Sequence, residues 1–373
     1  MVTFVPLGVF GVLASLAQLP VLITQALGVH PNLPVITLSL WLLYLNISTA
    51  INTLTWTSPD SSTWNSGVGW CDLDTNVSFG GGLGLMLAAV AISFHLNYAC
   101  RPNSKPLTVR LARYWTLADI LICFLIPVAA IAVHPFITTG RFMILQRFGC
   151  VAVTTRSAVY ILFGSAFVLA IATLLTIINA INLLQFYQRG SQSVYQTLSF
   201  QERYSVSFFK RCQVCSMAVL VLAVPPMVYI ATLTLKSHEH VQPFAWRNGK
   251  PKNWDVVLAY DWETFWNSDN RSFLAAGMAN RAINVALSFV AMFCFGTGSS
   301  AVEVYRGIGE RCGLVERRVD VDPGSVSRRD STRSTEKGDL KFTVHLRSWV
   351  DTPTSNVFSA DSTAVASNST EQV

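Results

Sequence analysis

Charge is what this chain has least of. Only 13% of its 373 residues are charged and 51% are hydrophobic, against roughly 25% charge in a soluble domain. The last stretch, 298–373, takes 10 of the 27 basic and 11 of the 21 acidic groups, leaving 17 and 10 for everything before it. That balance gives no basic stripe on a soluble module, which argues against a nucleic-acid partner. The surplus positive charge lies in loops between apolar runs, where it suits an anionic membrane leaflet. Lysine is absent from the interior of every apolar run, so a retinal Schiff base has no attachment point. Acids are scarce there too. Asp119 stands out among them, and His95 and His134 fall at different depths, so no set of ligands for zinc or iron is assembled and neither enzyme activity nor a cofactor is expected. Cys212-Gln-Val-Cys215 has no partner pair and reads as helix packing. No basic residue precedes the first apolar run, which begins Met1-Val-Thr-Phe-Val-Pro; it reads as a retained signal anchor, not a cleaved signal peptide.

Seven long apolar runs fill the first three hundred residues, at about 4–27, 34–55, 71–99, 115–137, 156–186, 213–235 and 273–297. A bilayer core takes about 20 apolar residues to cross as a helix, because each backbone polar group must be satisfied within the segment. The fold class expected is an all-α membrane protein, a seven-helix transmembrane bundle, in three parts. Residues 1–297 form the bundle, 298–318 a juxtamembrane amphipathic segment, and 319–373 a disordered cytoplasmic tail too polar to bury its own core. With the N-terminus outside, the inner segments hold twelve basic residues near helix ends and the outer segments eight, which favours that orientation. Three Asn-x-Ser/Thr sequons begin at Asn46, Asn76 and Asn368; by their positions all three read as chance.

In this topology Cys71, at the outer start of span three, and Cys150, in the loop between spans four and five, both face the oxidising side, and a disulfide between them would draw the loop over the bundle mouth. Pro20, Pro127 and the pair Pro225-Pro226 interrupt spans one, four and six. Pro225 and Pro226 read as a hinge for the inner end of span six or, equally, as a fixed kink. The loop between spans six and seven is rich in aromatic residues, Trp246, Trp262 and Trp266 among them; it serves either as a ligand lid or as an interfacial belt. Arg281 and Asp119 read as snorkelling charges, with Arg281 also open to an acidic group or a ligand carboxylate. Val302, Tyr305 and Ile308 give one apolar face to a short helix ending near Cys312, a possible acylation position, and Arg328-Arg-Asp-Ser331 has the form of a basophilic kinase site at Ser331.

Several of these residues carry a resemblance. Trp70-Cys71-Asp72-Leu73, Gly140-Arg141-Phe142, Phe148-Gly149-Cys150, Phe295-Gly296, Glu303 and Tyr305 fall in the order seen in fungal mating-pheromone receptors of the a-factor-receptor type, a branch of class D G-protein-coupled receptors. The chain departs from that pattern in the first inner loop, which has no Lys or Arg, and at Arg147, where the family often has an acid.

The resemblance implies a multi-pass plasma-membrane receptor for a farnesylated peptide pheromone, coupled to a heterotrimeric G protein and acting in mate recognition. The ligand is expected to meet Trp70, Arg141, Phe148 and Arg281 together with the loop tryptophans Trp246, Trp262 and Trp266, its prenyl chain lying among the outer halves of the spans against membrane lipid. Arg110, Arg113, Arg203, Lys210 and Arg211 are expected to face the G protein. The alternative is a divergent heptahelical orphan receptor, or a small-solute transporter without G-protein coupling.

Overall fold

The computed structural model describes residues 5–28, 31–99, 109–138, 140–153, 161–199, 206–236, 257–266 and 271–312. The chain divides into two units, Met1–Arg317 and Arg318–Val373. The described residues all lie in the first, so the expectations for the tail and Ser331 fall outside them, as do those for Arg203 and Trp246.

Among the described residues, seven helices are long and apolar enough to cross a membrane: Pro6–Leu27, Leu33–Thr55, Trp70–Tyr98, Arg110–Ile137, Gly164–Gln185, Phe208–Leu233 and Arg271–Gly296. They are spans one to seven. Helix Phe167–Ser199 carries span five well past its apolar run, and helix Val206–Lys236 carries span six. A further helix, Ser299–Arg311, follows span seven with Val302 and Tyr305 exposed. Local chemistry explains the ends and the polar positions. Asn32 caps span two by accepting from the Val35 amide at 3.2 Å, and the Thr49 and Thr53 hydroxyls donate to carbonyls one turn back at 2.8 and 2.7 Å, so these two hydroxyls are satisfied within their own helix.

Span three is the axis. Gly80, Gly81, Gly82 and Gly84 leave it without side chains on three sides, so that span four packs at Gly80 through Ile131 and the Pro127 carbonyl, while span two sets Trp41 against Gly81 and Gly84. Span four contains one wide π-helical turn, Leu121–Leu125, just before Pro127. Proline has no N–H to give to the carbonyl four residues back, here that of Cys123. The Trp41 indole donates to that carbonyl instead, at 3.1 Å, so the tryptophan that needs the glycines also repairs the proline.

The expectation of an all-helical chain misses one element. Strands β1 (Met143–Leu145) and β2 (Gly149–Val151) form an antiparallel hairpin in the loop between spans four and five. Strand β3 (Leu258–Tyr260), from the loop between spans six and seven, pairs with β1 in parallel, giving the order β2-β1-β3. Three-residue strands carry too little alternation to be read from sequence.

A side chain at Gly84 would have to displace Trp41 and orphan the Cys123 carbonyl, whereas a methyl at Gly82 would meet only the Met227 methyl, at 3.8 Å. Overpacking of this kind costs about 1–3 kcal/mol. Gly84→Leu is expected to lower the thermal midpoint of detergent-solubilised protein by several degrees and to cut the folded yield, while Gly82→Ala leaves both near wild type. Thermal unfolding followed by size-exclusion chromatography reads both.

Candidate functional site

The sheet sits over one end of the bundle, and covalent and polar links fix it there. Cys71, at the start of span three, and Cys150, in β2, form a disulfide 79 residues apart in sequence. Disulfides persist on the oxidising side of a membrane, so this end is the outer one and the N-terminus lies on the same side. Around the bridge, Trp56, Phe142 and Ile144 close a small buried cluster, with Trp64, Trp70 and Val257 packed against it.

The hairpin turn depends on backbone that few residues adopt. Arg147 has φ 62° and Gly149 has φ 84°. At Gly149 a Cβ would lie 2.5 Å from Asn52 Cβ and 2.9 Å from Asn52 Cα, so β2 rests directly on the backbone of span two. Gln146 in the same turn ties three loops together. Its side-chain amide donates to the Ser58 carbonyl at 2.9 Å, its backbone amide to the Tyr260 carbonyl at 3.0 Å, and its Oε1 accepts from the Trp262 amide at 3.1 Å. The Arg147 amide donates to the Trp56 carbonyl at 2.7 Å.

Beneath the sheet lies an acid that sequence reasoning passed over. Asp74, 2% exposed, accepts from Ser48 at 2.5 Å, Asn52 at 2.6 Å, and Tyr44 and Ser78 at 3.2 Å each. Asn52 in turn accepts from the Trp70 indole at 3.0 Å. The signal that could have found Asp74 is its place four residues before Ser78 and inside the apolar run, where an acid needs several donors.

The expected ligand residues divide into three groups. Arg141 forms a two-pronged ion pair with Asp72, both contacts 2.6 Å, and Trp70 is held by Asn52. Phe148 is buried with Leu145, Val151, Phe265 and Leu274. The Arg281 guanidinium stacks 3.8 Å from the centre of the Phe148 ring and donates to the Phe148 carbonyl. Arg281 therefore does not snorkel; it joins span seven to the hairpin, and Gly277 one turn away leaves room for the same ring. Trp262 and Trp266 bound a short helix after β3. That helix is capped by Asp261, whose carboxyl is held below the usual range by hydrogen bonds from the Thr264 side chain and amide.

At the inner end, Arg110 and Arg113 are exposed at the start of span four, as is Lys210 on span six. Arg211 is half-buried and donates to the Cys294 carbonyl of span seven at 3.4 Å. Asp119 does not snorkel either, since it is buried and pairs with His95 Nε2 at 2.9 Å. Pro225 and Pro226 lie inside the unbroken helix Val206–Lys236. Among the described residues, no group of three or more His, Cys, Asp or Glu could hold a metal ion.

Gly69 has φ 88° in open space, whereas Gly149 has a similar φ and a backbone neighbour as well. Gly149→Ala is expected to cost well over about 1 kcal/mol, lowering both the thermal midpoint and the fraction of chains with the Cys71–Cys150 bridge in non-reducing peptide mapping. Gly69→Ala is expected to have a smaller effect on the first and none on the second; equal effects would remove the Asn52 contact as the cause.

Comparison with known proteins agrees with this geometry. The profile of the family described as Pheromone A receptor matches residues 3–313. The pheromone B beta 1 receptor of Schizophyllum commune is 27% identical over 145 residues, 38% of this chain and 26% of that protein. The pheromone a factor receptor of Saccharomyces cerevisiae is 20% identical over 276 residues, 74% of this chain and 55% of that protein. The chain thus spans about a quarter to about half the length of these relatives. Receptors of this family are not enzymes, and the seven spans make this chain a multi-pass protein of the plasma membrane. With the match running from the first span through the helix that follows the seventh, the chain belongs to the pheromone A receptor family.

Proposed function

We propose that this chain is a receptor for a farnesylated peptide pheromone and that it signals through a heterotrimeric G protein. The observation that carries this reading is the contact between Arg281 and Phe148. It connects a cap made from three outer loops to a membrane span, so that a ligand gripping the cap acts on the bundle. Trp70, Arg141, Phe148, Trp262 and Arg281 belong to the cap region; Trp246 and Trp266 are added from sequence. Arg281 and Phe148 are engaged with each other, and a ligand that uses either one exchanges this contact for its own.

A farnesyl chain partitions into lipid, at about 0.8 kcal/mol per buried methylene, so the peptide is concentrated at the membrane before it meets the cap. Activation requires different affinities for two bundle states, because equal binding shifts no equilibrium. The moving element in this reading is span six, turning at Pro225 and Pro226. Its inner end carries Lys210 and Arg211, Arg203 precedes it in sequence, and Arg110 and Arg113 lie at the inner end of span four; together these would meet a Gα subunit. Phosphorylation at Ser331 would end the signal.

The test is nucleotide exchange on a fungal Gα by purified receptor in lipid, with farnesylated and unfarnesylated candidate peptides. Exchange is expected to rise with the farnesylated form and to need at least tenfold more of the other. Arg211 also bonds the end of span seven, so the cleaner probe of coupling is Arg113→Ala with Lys210→Ala. That variant is expected to reduce exchange several-fold at unchanged surface expression. No exchange with any peptide, with a Gα proven on another receptor, would leave an orphan receptor or a transporter.

A further inference from the structure

The inner half of the bundle holds a buried polar cluster that the reading above does not use. Ser93 of span three and Ser216 of span six are joined hydroxyl to hydroxyl at 2.5 Å. Asn179 of span five donates to both, at 3.2 Å to Ser93 and 3.1 Å to Ser216. Its own oxygen lies within reach of the Gln213 amide at 3.1 Å and the Ser216 hydroxyl at 3.2 Å. Asn182, one turn on, donates to the Ser93 carbonyl at 3.0 Å and accepts from Asn97 at 3.0 Å. Ser93, Ser216, Asn179 and Asn182 are each 1% exposed or less.

The placement of these bonds matters more than their number. Gln213 and Ser216 lie between the Pro225-Pro226 pair and the inner end of span six. Ser216 is nine residues from Pro225, about 14 Å along the helix. A swing of the inner end about the prolines cannot occur without pulling Ser216 and Gln213 from Asn179 and Ser93. The apolar surroundings include Ile92, Leu96, Leu175, Ile178, Cys212 and Val219, all buried. Water is not at hand there to take the vacated bonds, and a buried polar group left unpaired is costly. On span six, Arg211 makes a second inner tie, to the Cys294 carbonyl of span seven.

We propose that Asn179 is a positioning residue that latches span six to spans three and five, and that this latch sets how much the receptor signals without peptide. The latch rests on the G-protein reading for its consequence, but not for its mechanics. Removing the amide or its span-six partner lowers the cost of the open state while leaving the cap untouched, so basal exchange rises and stimulated exchange changes little.

Two readouts separate the latch from the receptor reading. In the first, Asn179→Leu and Ser216→Ala are each expected to raise peptide-independent exchange several-fold per folded receptor and to shrink the stimulated-to-basal ratio, whereas Ser216→Thr, which keeps the hydroxyl, restores wild-type values. A merely structural role would lower folded yield and both rates together. In the second, spin labels on Tyr187→Cys and Lys210→Cys, in a Cys100→Ser, Cys312→Ser background, report the distance between the inner ends of spans five and six without any G protein. Asn179→Leu is expected to populate a longer distance than the unsubstituted pair. If wild-type receptor drives no exchange, the G-protein reading fails and the distance alone decides the latch. An unchanged distance distribution, or unchanged basal exchange in a receptor that does couple, overturns it.

Discussion

The outer half of this protein depends on the bridge between Cys71 and Cys150. Closing a loop of 79 residues restricts the unfolded chain by about 4 kcal/mol in the chain-entropy description, but its local effect is more specific. It holds β2 against the top of span three, which sets Gly149 on the Asn52 backbone and places Phe148 beneath Arg281. Without that anchor, the hairpin would be held to the bundle by noncovalent contacts alone, among them Arg281 of span seven on Phe148 and Arg141 on Asp72 of span three, with Gln146 and the β1–β3 pairing tying it to the other loops.

Polar groups do the corresponding work inside the membrane. Lipid supplies no hydrogen bonds, so each polar side chain must find its partner on a neighbouring span or on its own helix. Asp74 is met by span two and by its own helix, Asn46 by Ser288 of span seven at 2.7 Å, and Gln18 by the Ser288 carbonyl at 2.9 Å. Such bonds add little to stability singly, about 0.6 kcal/mol on average in the membrane case studied most closely. Their larger effect is on register, because a helix turned by one residue strands them all. Close approach through Gly80, Gly81 and Gly84 makes the same demand sterically.

The spans and the bridge were legible in the sequence for a plain reason. A bilayer imposes a minimum length on any apolar run, and seven such runs fix which loops share a side, leaving few cysteines able to meet. What was not legible concerns neighbours. The 3.6-residue period says which face of a helix an asparagine occupies, but not that Asn179 faces Ser93 and Ser216. It placed Ser78 on the same face as Asp74 but said nothing of the donors on span two. Asp119 was misread as snorkelling because its partner His95, on another span, leaves no mark near it, and the partner of Arg281, Phe148, lies in an outer loop 133 residues away. The sheet escaped notice since Met143–Leu145 and Leu258–Tyr260 are joined across more than a hundred residues. The glycine run Gly80-Gly81-Gly82 was visible, yet its meaning required knowing that Trp41 stood opposite.

Span three links the two ends of the molecule. It carries Cys71 and Asp74 under the cap and Ser93 in the inner cluster, and it has the largest buried share of the seven spans. A densely packed helix of this kind transmits a displacement along its axis with little loss, since packed interiors have low compressibility. It is, however, poorly suited to moving itself, being crowded by glycine-mediated contacts on several sides. Spans four, five and six have much smaller buried shares, so their lipid faces can be rearranged at lower cost. In the proposed latch, span three is thus the fixed reference against which the less buried spans five and six would move. Arg281 on span seven and Ser216 on span six then have related roles, since each joins a more loosely held span to structure anchored on span three, one through the cap and one through Ser93.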